Sequence, residues 1–486
     1  MTYLSLFFFS LAFLWPAHFE PLPLFYQNSL IFFSLIFLLI NLKEIIIDKL
    51  TVIFFIILIS TILLEFLINR NLSDGAIYYS IAVSTFIFSY ILGINYRQNL
   101  QQVRYFIPVF LFTAVMLFVI QICQVYYIDS VLVKYMSATS NRYYSNIGQP
   151  NILATIYAIA IAYLVVGKIS VKGLLLISIF VLGVFLTKSR IGYLSIFLVS
   201  LLATVTFEKI KIIDFFKKIY PILLLIVMFF INCLNEDSFI KSNRLDNIDN
   251  GRVSIYKDAI NLIGDRPFLG YGWEAANKYI PNNNIVDFNF SLHSYHNIIF
   301  DLMLSYGSIV TLFFIFIFFN ILWKNRKNNT KIFVVILPFL LHCLVEFPYY
   351  YWYFLMPFGF LIGIINRLYL SQEVCIISRK YLLLMILFVL IIYKIFYNEY
   401  ESISKNYLSV YNKECRVLPK SNWIFFRETS KNIEYFCLDN SKEDEKRKIV
   451  YDGLNYTLLI NYVNTYPLEN DDLNEYACIK YNHYCQ

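Results

Sequence analysis

Runs of about 20 mostly apolar residues recur along the whole chain, and they constrain its fold more than any other feature. A helix crossing the hydrocarbon layer of a bilayer needs a run of about that length. Thirteen candidate spans follow, at about 3–15, 29–42, 51–68, 76–93, 105–128, 151–166, 173–187, 191–206, 219–233, 298–322, 331–346, 350–366 and 381–398. At 486 residues the length alone would suggest about three soluble domains. The composition overrules that reading, because only 15% of residues are charged, against about 25% in a soluble domain. The first run, Tyr3 to Trp15, lacks a basic flank and a small-residue cleavage site, so it reads as a retained helix rather than a removed leader.

The cations orient these spans. With the N-terminus inside, the loops on the inner side hold seventeen Lys and Arg residues, from Lys43 and Lys49 through Lys209, Lys211, Lys217 and Lys218 to Arg379 and Lys380. The short outer loops hold five: Arg70, Lys134, Arg142, Lys188 and Arg190. Cytoplasmic loops carry the excess of Lys and Arg, so the 234–297 segment and the tail from about 399 belong on the outer face. The net charge of +7 is thereby accounted for by topology, and no basic patch points to nucleic acid. Four of the eight cysteines (Cys415, Cys437, Cys478 and Cys485) lie in the 88-residue tail. In an oxidising compartment they allow two disulfides, with three connectivities open. Four regions result: membrane helices over 1–233, a loop over 234–297, membrane helices over 298–398 and a cysteine-containing tail over 399–486.

Within the long loop, Val253, Tyr256, Ile260 and Ile263 recur at helical spacing, which predicts an amphipathic helix over about 252–264. Asp249 or Asn250 is placed to cap it. Gly270 and Gly272 predict a tight turn in Pro267-Phe-Leu-Gly-Tyr-Gly-Trp273. Walker, dinucleotide and Gly-x-Ser-x-Gly patterns are absent from the sequence.

The ionisable residues gather at the outer boundary. They include Arg190, Arg252, His18, His293, His296, His342, Glu274 and Glu346. Such groups at membrane depth are expensive and point to function. Arg190, between two apolar runs, reads by itself as a snorkelling end-of-helix cation. Arg252 opens the loop helix, whose N-terminus favours anions, and its guanidinium suits phosphate oxygens. Either imidazole of His293-Ser-Tyr-His296 is suited to act as a base near neutral pH. Their spacing of three, with no carboxylate or Cys nearby, does not suit a zinc site. His342 and Glu346, four apart, share a helix face and serve a structural pairing as readily as catalysis.

In order, these segments resemble the O-antigen ligase and O-linking oligosaccharyltransferase superfamily. The resemblance rests on His296-Asn297, nine residues, then Gly307. Upstream elements agree with it: Thr187-Lys-Ser-Arg190, Arg252-Val-Ser-Ile-Tyr-Lys-Asp-Ala259 and the Pro267–Trp273 turn. Trp15-Pro-Ala-His18-Phe-Glu-Pro21, Gly148-Gln149-Pro150-Asn151 and His342-Cys-Leu-Val-Glu346-Phe-Pro348 look like the protein-glycosylating branch. Val310 and Tyr295 depart from the pattern, which bears on the subfamily. The resemblance covers about residues 10–365.

The resemblance implies an all-α polytopic fold similar to C-type glycosyltransferases, with about 12–13 membrane helices in a bacterial inner membrane and a large periplasmic loop. It implies transfer of a glycan from undecaprenyl diphosphate to an acceptor, either an exported pilin-like protein or lipid A core, with neither metal nor cofactor. His296 would then be the catalytic base, with Arg190 and Arg252 gripping the diphosphate. His293, Asn297, Gln149, His342 and Glu346 would support these groups or bind the acceptor. An O-antigen polymerase shares this chemistry, and a flippase is the rival of a different class.

Overall fold

The computed structural model describes residues 1–19, 21–69, 74–96, 100–126, 142–205, 211–234, 248–273, 294–324, 330–369, 373–411, 415, 423–439, 441–453 and 462. The chain is a polytopic membrane protein, mostly helical. Among the described residues, nine helices come first: α1 Thr2–Leu14, α2 Phe25–Ile40, α3 Lys49–Asn69, α4 Asp74–Ile94, α5 Leu100–Val125, α6 Pro150–Val166, α7 Val171–Thr187, α8 Arg190–Val205 and α9 Ile212–Leu234. The loop helix α10 spans Ile248–Asp265. Then come α11 Ile298–Lys324, α12 Thr330–Cys343, α13 Trp352–Tyr369 and α14 Arg379–Tyr411, followed by α15 Arg427–Cys437 and α16 Glu443–Gly453 in the tail. Each expected apolar run is helical over most of its described residues, the 331–346 run leaving the helix after Cys343. Among the described residues, five helices are long and apolar enough to cross a membrane by length and composition alone, within α3, α4, α5, α11 and α14.

Helix α6 lies at the centre. Ile152, Leu153, Thr155, Ile156, Tyr157 and Ile161 are fully buried, as a helix apolar on all sides must be. Where its neighbours approach, they carry glycine. A Cβ on Gly183 of α7 would sit 2.6 Å from the Tyr157 ring, and one on Gly192 of α8 would sit 2.8 Å from the Ala154 side chain.

The closest helix pair is α4 with α13. Gly359 and Gly363 of α13 form a small-xxx-small pair, and a Cβ at either would meet the Phe86 or Tyr90 carbonyl of α4 at 2.6 or 2.2 Å. In a bilayer, small residues let backbones approach and gain dispersion contact. Phe86 faces Gly359 and Gly93 faces Gly363, so the two helices run the same way. Strict alternation requires this of the fourth and twelfth spans.

The two ends of the bundle differ. At the end assigned inside by the cations, β1 Glu44–Asp48 pairs antiparallel with β2 Glu373–Ser378, with Ile46 opposite Ile376. This sheet departs from the all-helical expectation. Its strands are short connectors more than 300 residues apart, so neither shows strand character until the bundle brings them together. Asp48 accepts from the backbone N–H and the hydroxyl of Thr51 (2.8 and 2.6 Å), capping α3, and also from Tyr90 (2.8 Å) and Asn366 (2.6 Å). The Asn95 amide bonds both backbone groups of Ile46. The buried Asp48 and Asn95 side chains are thus partnered, as a low-dielectric site demands.

The opposite end carries the loop helix, the tail and most of the singled-out polar residues. Helix α14 runs 33 residues, about 50 Å at 1.5 Å per residue, and so passes through the 398/399 boundary into the tail without a break. There Phe396 stacks on Phe426, Tyr400 stacks on Phe25, and a Cys415–Cys437 disulfide closes the segment before α15 onto that helix. Asp74 at the start of α4 accepts the Glu428 and Thr429 backbone N–H groups (3.1 and 2.8 Å) and so caps α15. Cys478 and Cys485 lie outside the described residues.

Candidate active site

The motif turn Ser294–Asn297 leads into α11, and Asn297 joins it to the rest of the site. Its Oδ1 accepts from the Ile299 and Phe300 N–H groups (2.9 and 3.4 Å), capping α11, while its Nδ2 donates to the Leu344 carbonyl (2.9 Å). That second bond draws the end of α12, and with it Glu346, against the turn. Asp301 in the first turn of α11 accepts from the Tyr295 N–H (2.8 Å), the Ser294 hydroxyl (2.5 Å) and the Tyr349 hydroxyl. Burial, and then the Asp301 carboxylate, push the Tyr349 phenol well above its ordinary pKa, so it remains a donor.

These bonds hold His296 in a left-handed conformation, φ 58°, which a residue with a Cβ adopts only when its surroundings enforce it. The imidazole Nδ1 lies 3.0 Å from the Ser294 carbonyl. A carbonyl only accepts, so Nδ1 carries the proton and Nε2 holds the lone pair in the neutral ring. Nε2 faces Glu346 Oε2 at 3.6 Å, too long for a hydrogen bond but close enough to stabilise an imidazolium. The Phe347 ring meets the imidazole edge-on at 5.0 Å. Glu346 itself is buried, and its Oε1 accepts from the Asn151 amide at 3.1 Å.

Behind the turn, the Pro267–Trp273 segment and the start of α11 interlock. Helix α11 is broken at Gly307 (φ 77°, ψ 170°). The carbonyls freed above the break are taken up by the segment: Tyr271 N–H donates to Leu304 (2.6 Å) and Gly272 N–H to Ser305 (3.1 Å), while Ser308 N–H donates to Pro267 (2.8 Å). Gly270 and Gly272, with φ 66° and 86°, give the tight turn expected there. Trp273 then anchors the strap's end. Its backbone N–H donates to the buried Glu65 carboxylate of α3 (2.8 Å) and its ring stacks on Tyr79 of α4 at 4.8 Å. A mostly apolar cavity of about 220 Å³ lies beneath, bounded by Trp273, Tyr79, Asp301 and Tyr349 among others.

Helix α10 begins at Ile248, four residues before the expected start, so Asp249 and Asn250 lie within it and Arg252 sits one turn in rather than at its opening. The buried stripe also differs from the expected one. Ile255, Ala259, Leu262 and Ile263 pack on Tyr271, Tyr295 and Leu304, whereas Val253 and Ile260 face outward with Phe268 and Leu269. The helical period was legible, but its phase depended on partners from the 267–273 segment, the motif turn and α11.

The other expected residues divide as follows. Gln149 Oε1 accepts from the Tyr351 hydroxyl (3.2 Å) just before α6. His342 is fully buried, its Nδ1 2.7 Å from the Thr155 hydroxyl. Arg190 is exposed at the first position of α8, next to Ser189, whose hydroxyl reaches Asn151. His18 holds the first outer loop against the Gly148 turn, with Nε2 3.0 Å from the Asn146 carbonyl. His293, Glu274 and the side chain of Arg252 lie outside the described residues. Asn151, Ser294, Asp301, Glu65 and Arg142 were not singled out from sequence. Asn151 had a signal in the Gly-Gln-Pro-Asn segment, and Asp301 and Glu65 had one as carboxylates inside apolar runs.

Comparison with known proteins bears on what such a site does. Residues 174–315 match the family described as O-Antigen ligase, and residues 332–445 match the one described as Virulence factor membrane-bound polymerase, C-terminal. The ComP-specific O-oligosaccharyltransferase of Acinetobacter baylyi is 25% identical over 466 residues, covering 86% of this chain and 82% of its own length. A General O-oligosaccharyltransferase of the same organism is 31% identical over 123 residues, covering 24% of this chain and 21% of its own.

Proposed function

We propose, for a chain that belongs to the O-antigen ligase family and is a membrane glycosyltransferase, that it moves a glycan en bloc from undecaprenyl diphosphate to a Ser or Thr hydroxyl of an exported, pilin-like protein. The observation that carries this reading is the orientation of His296, whose Nδ1–H is held by the Ser294 carbonyl and whose Nε2 is turned toward the buried Glu346 carboxylate. Nε2 takes the acceptor proton as its oxygen attacks the anomeric carbon, and the bond from that carbon to the phosphate oxygen breaks. Undecaprenyl diphosphate leaves with the electron pair. Glu346 stabilises the imidazolium as it forms, and a positioned base of this kind contributes about 10²–10⁴-fold. Arg190 and Arg252 grip the diphosphate as charge builds on it. His293, Gln149, Asn297 and His342 order the acceptor side.

The site works at the periplasmic face. The cation asymmetry of the loops supports this placement, as does a disulfide in the tail, since disulfides persist in oxidising compartments. The outward apolar residues of α10 and the strap suit an interfacial position. The relatives' shared name, O-oligosaccharyltransferase, favours a hydroxyl acceptor, and one of them is named for ComP specificity. The family description, O-Antigen ligase, favours a second reading in which lipid A core is the acceptor.

The test incubates purified full-length protein in nanodiscs with an undecaprenyl-diphosphate-linked glycan and either a pilin-like protein or lipid A core. A glycan mass gained on Ser or Thr is the expected result. Sugar found only on the lipid core moves the assignment to a ligase, and no transfer to either overturns the proposal.

A further inference from the structure

Helices α6 and α8 bring a cation to Glu346 indirectly. Arg142 donates Nε–H to the Thr187 carbonyl (2.9 Å) and an η nitrogen to Asn151 Oδ1 (2.8 Å). Ser189, which caps α8, donates its hydroxyl to the same Oδ1 (2.9 Å) and accepts from the Gly192 N–H (3.3 Å). A guanidinium can only donate, and the Ser189 hydroxyl, which keeps its proton while one lone pair receives Gly192, follows by donating to the same atom. The Asn151 atom facing both is therefore an acceptor, which fixes the amide: Oδ1 toward Arg142 and Ser189, Nδ2 toward Glu346 Oε1 at 3.1 Å. Thr155 fixes the Asn151 backbone through its carbonyl (3.1 Å) and links it to His342.

The amide's orientation has a consequence for the carboxylate. An N–H aimed at Oε1 fixes the rotation of the Glu346 carboxylate, and with it the place of Oε2, which faces His296 Nε2 at 3.6 Å. Ser189, Thr155 and His342 are fully buried, so the network is shielded from water and its dipoles act at low dielectric. Reversing the amide would aim Oδ1 at the carboxylate and leave Arg142 facing an NH₂ group.

We propose that Arg142 and Ser189, acting through a fixed Asn151 amide, orient the Glu346 carboxylate beside His296, so that all three are positioning residues for glycan transfer. This rests on the reading of His296 as base given above. It assigns Arg142, which is counted by topology as an outer-loop cation, to the base rather than to the leaving diphosphate.

A double-mutant cycle on the purified full-length protein separates this from a merely structural role. Arg142→Gln lowers kcat about tenfold or more, in the range of couplings measured within one network, with KM for the lipid-linked donor little changed, while Arg142→Lys recovers part of the loss. In a Glu346→Gln background, Arg142→Gln costs less than about twofold further. Asn151→Asp, which keeps the shape and removes the donor, runs the same cycle should Arg142→Gln fail to fold. The ¹³Cε1 resonance of His296 reads the cycle without turnover: Arg142→Gln shifts it when Glu346 is present and leaves it in place in the Glu346→Gln background. Equal losses in both backgrounds, or a Glu346→Gln enzyme as fast as wild type, overturn the relay and leave the transferase reading standing. A wild-type protein that transfers no glycan removes both.

Discussion

Replacing Gly307 by alanine tests the interlock that holds the motif turn. Its φ of 77° and ψ of 170° fall in a region essentially reserved to glycine, where another residue costs about 1–3 kcal/mol. A Cβ there would lie 1.9 Å from the Phe268 carbonyl oxygen, 2.2 Å from its carbon and 2.6 Å from the Leu269 nitrogen. All three are backbone atoms, so no side-chain rotation relieves the clash and the 267–273 strap must move away. Three backbone bonds go with it: Tyr271 to Leu304, Gly272 to Ser305 and Ser308 to Pro267. At about 0.5–1.5 kcal/mol each, the lost bonds and the strain together come to about 2.5–7.5 kcal/mol. That is enough to release the strap without unfolding the bundle, whose core lies around α6. Hydrogen-exchange mass spectrometry in nanodiscs checks it: amides 271 and 272 lose protection in Gly307→Ala, those of α6 keep it, and glycan transfer falls at least a hundredfold. Gly264→Ala is the control, because a Cβ there meets nothing within 4 Å and alanine in a helix gains about 0.5–1 kcal/mol over glycine. Wild-type protection at 271 and 272 in Gly307→Ala would refute the interlock.

Further outcomes follow from the same geometry. Asn297→Asp keeps a good helix cap but loses the donor to Leu344, so thermal stability changes little while transfer drops by an order of magnitude or more; an equal fall in both would mean that the residue serves only the helix. Cys415→Ser frees the segment before α15, so protease cleavage between 411 and 427 speeds up, as it does for wild type under reductant; unchanged cleavage would mean the disulfide restrains nothing. Burial lowers the His18 pKa against the opposing pull of the Asn146 and Pro23 carbonyls. Protonation therefore disfavours the docked first loop, whose stability is complete above about pH 6.5, the unfolded value, and declines as pH falls below it. Melting curves between pH 5 and 8 should show this slope, flattened in His18→Gln.

The helical layout was legible because lipid makes the signal simple: long apolar runs, with cations between them on one side. The parallel course of α4 and α13 and the antiparallel course of α6 and α12 both agree with the alternation. What escaped were features whose meaning depends on distant partners. Glu44–Asp48 reads as a connector until Glu373–Ser378 lies beside it. Val253 and Ile260 share a helical period with the buried stripe of α10, but only Tyr271 and Tyr295 decide which stripe is buried. In the site, His296, Asn297 and Glu346 were found because ionisable or motif residues stand out against apolar sequence. Arg142 stood out only as an outer-loop cation and Asn151 only as part of the Gly148–Asn151 segment. Their bond to each other and the contact of Asn151 with Glu346, 195 positions away, depend on the fold.

The most direct test of His296 as the base is the rate of glycan transfer from undecaprenyl diphosphate by purified His296→Ala, measured beside its melting temperature. The expected result is a loss of at least a hundredfold with a melting temperature within a few degrees of wild type, because the imidazole is partly exposed and its turn is held by Ser294, Asn297 and Asp301. A variant that transfers glycan at the wild-type rate would contradict it.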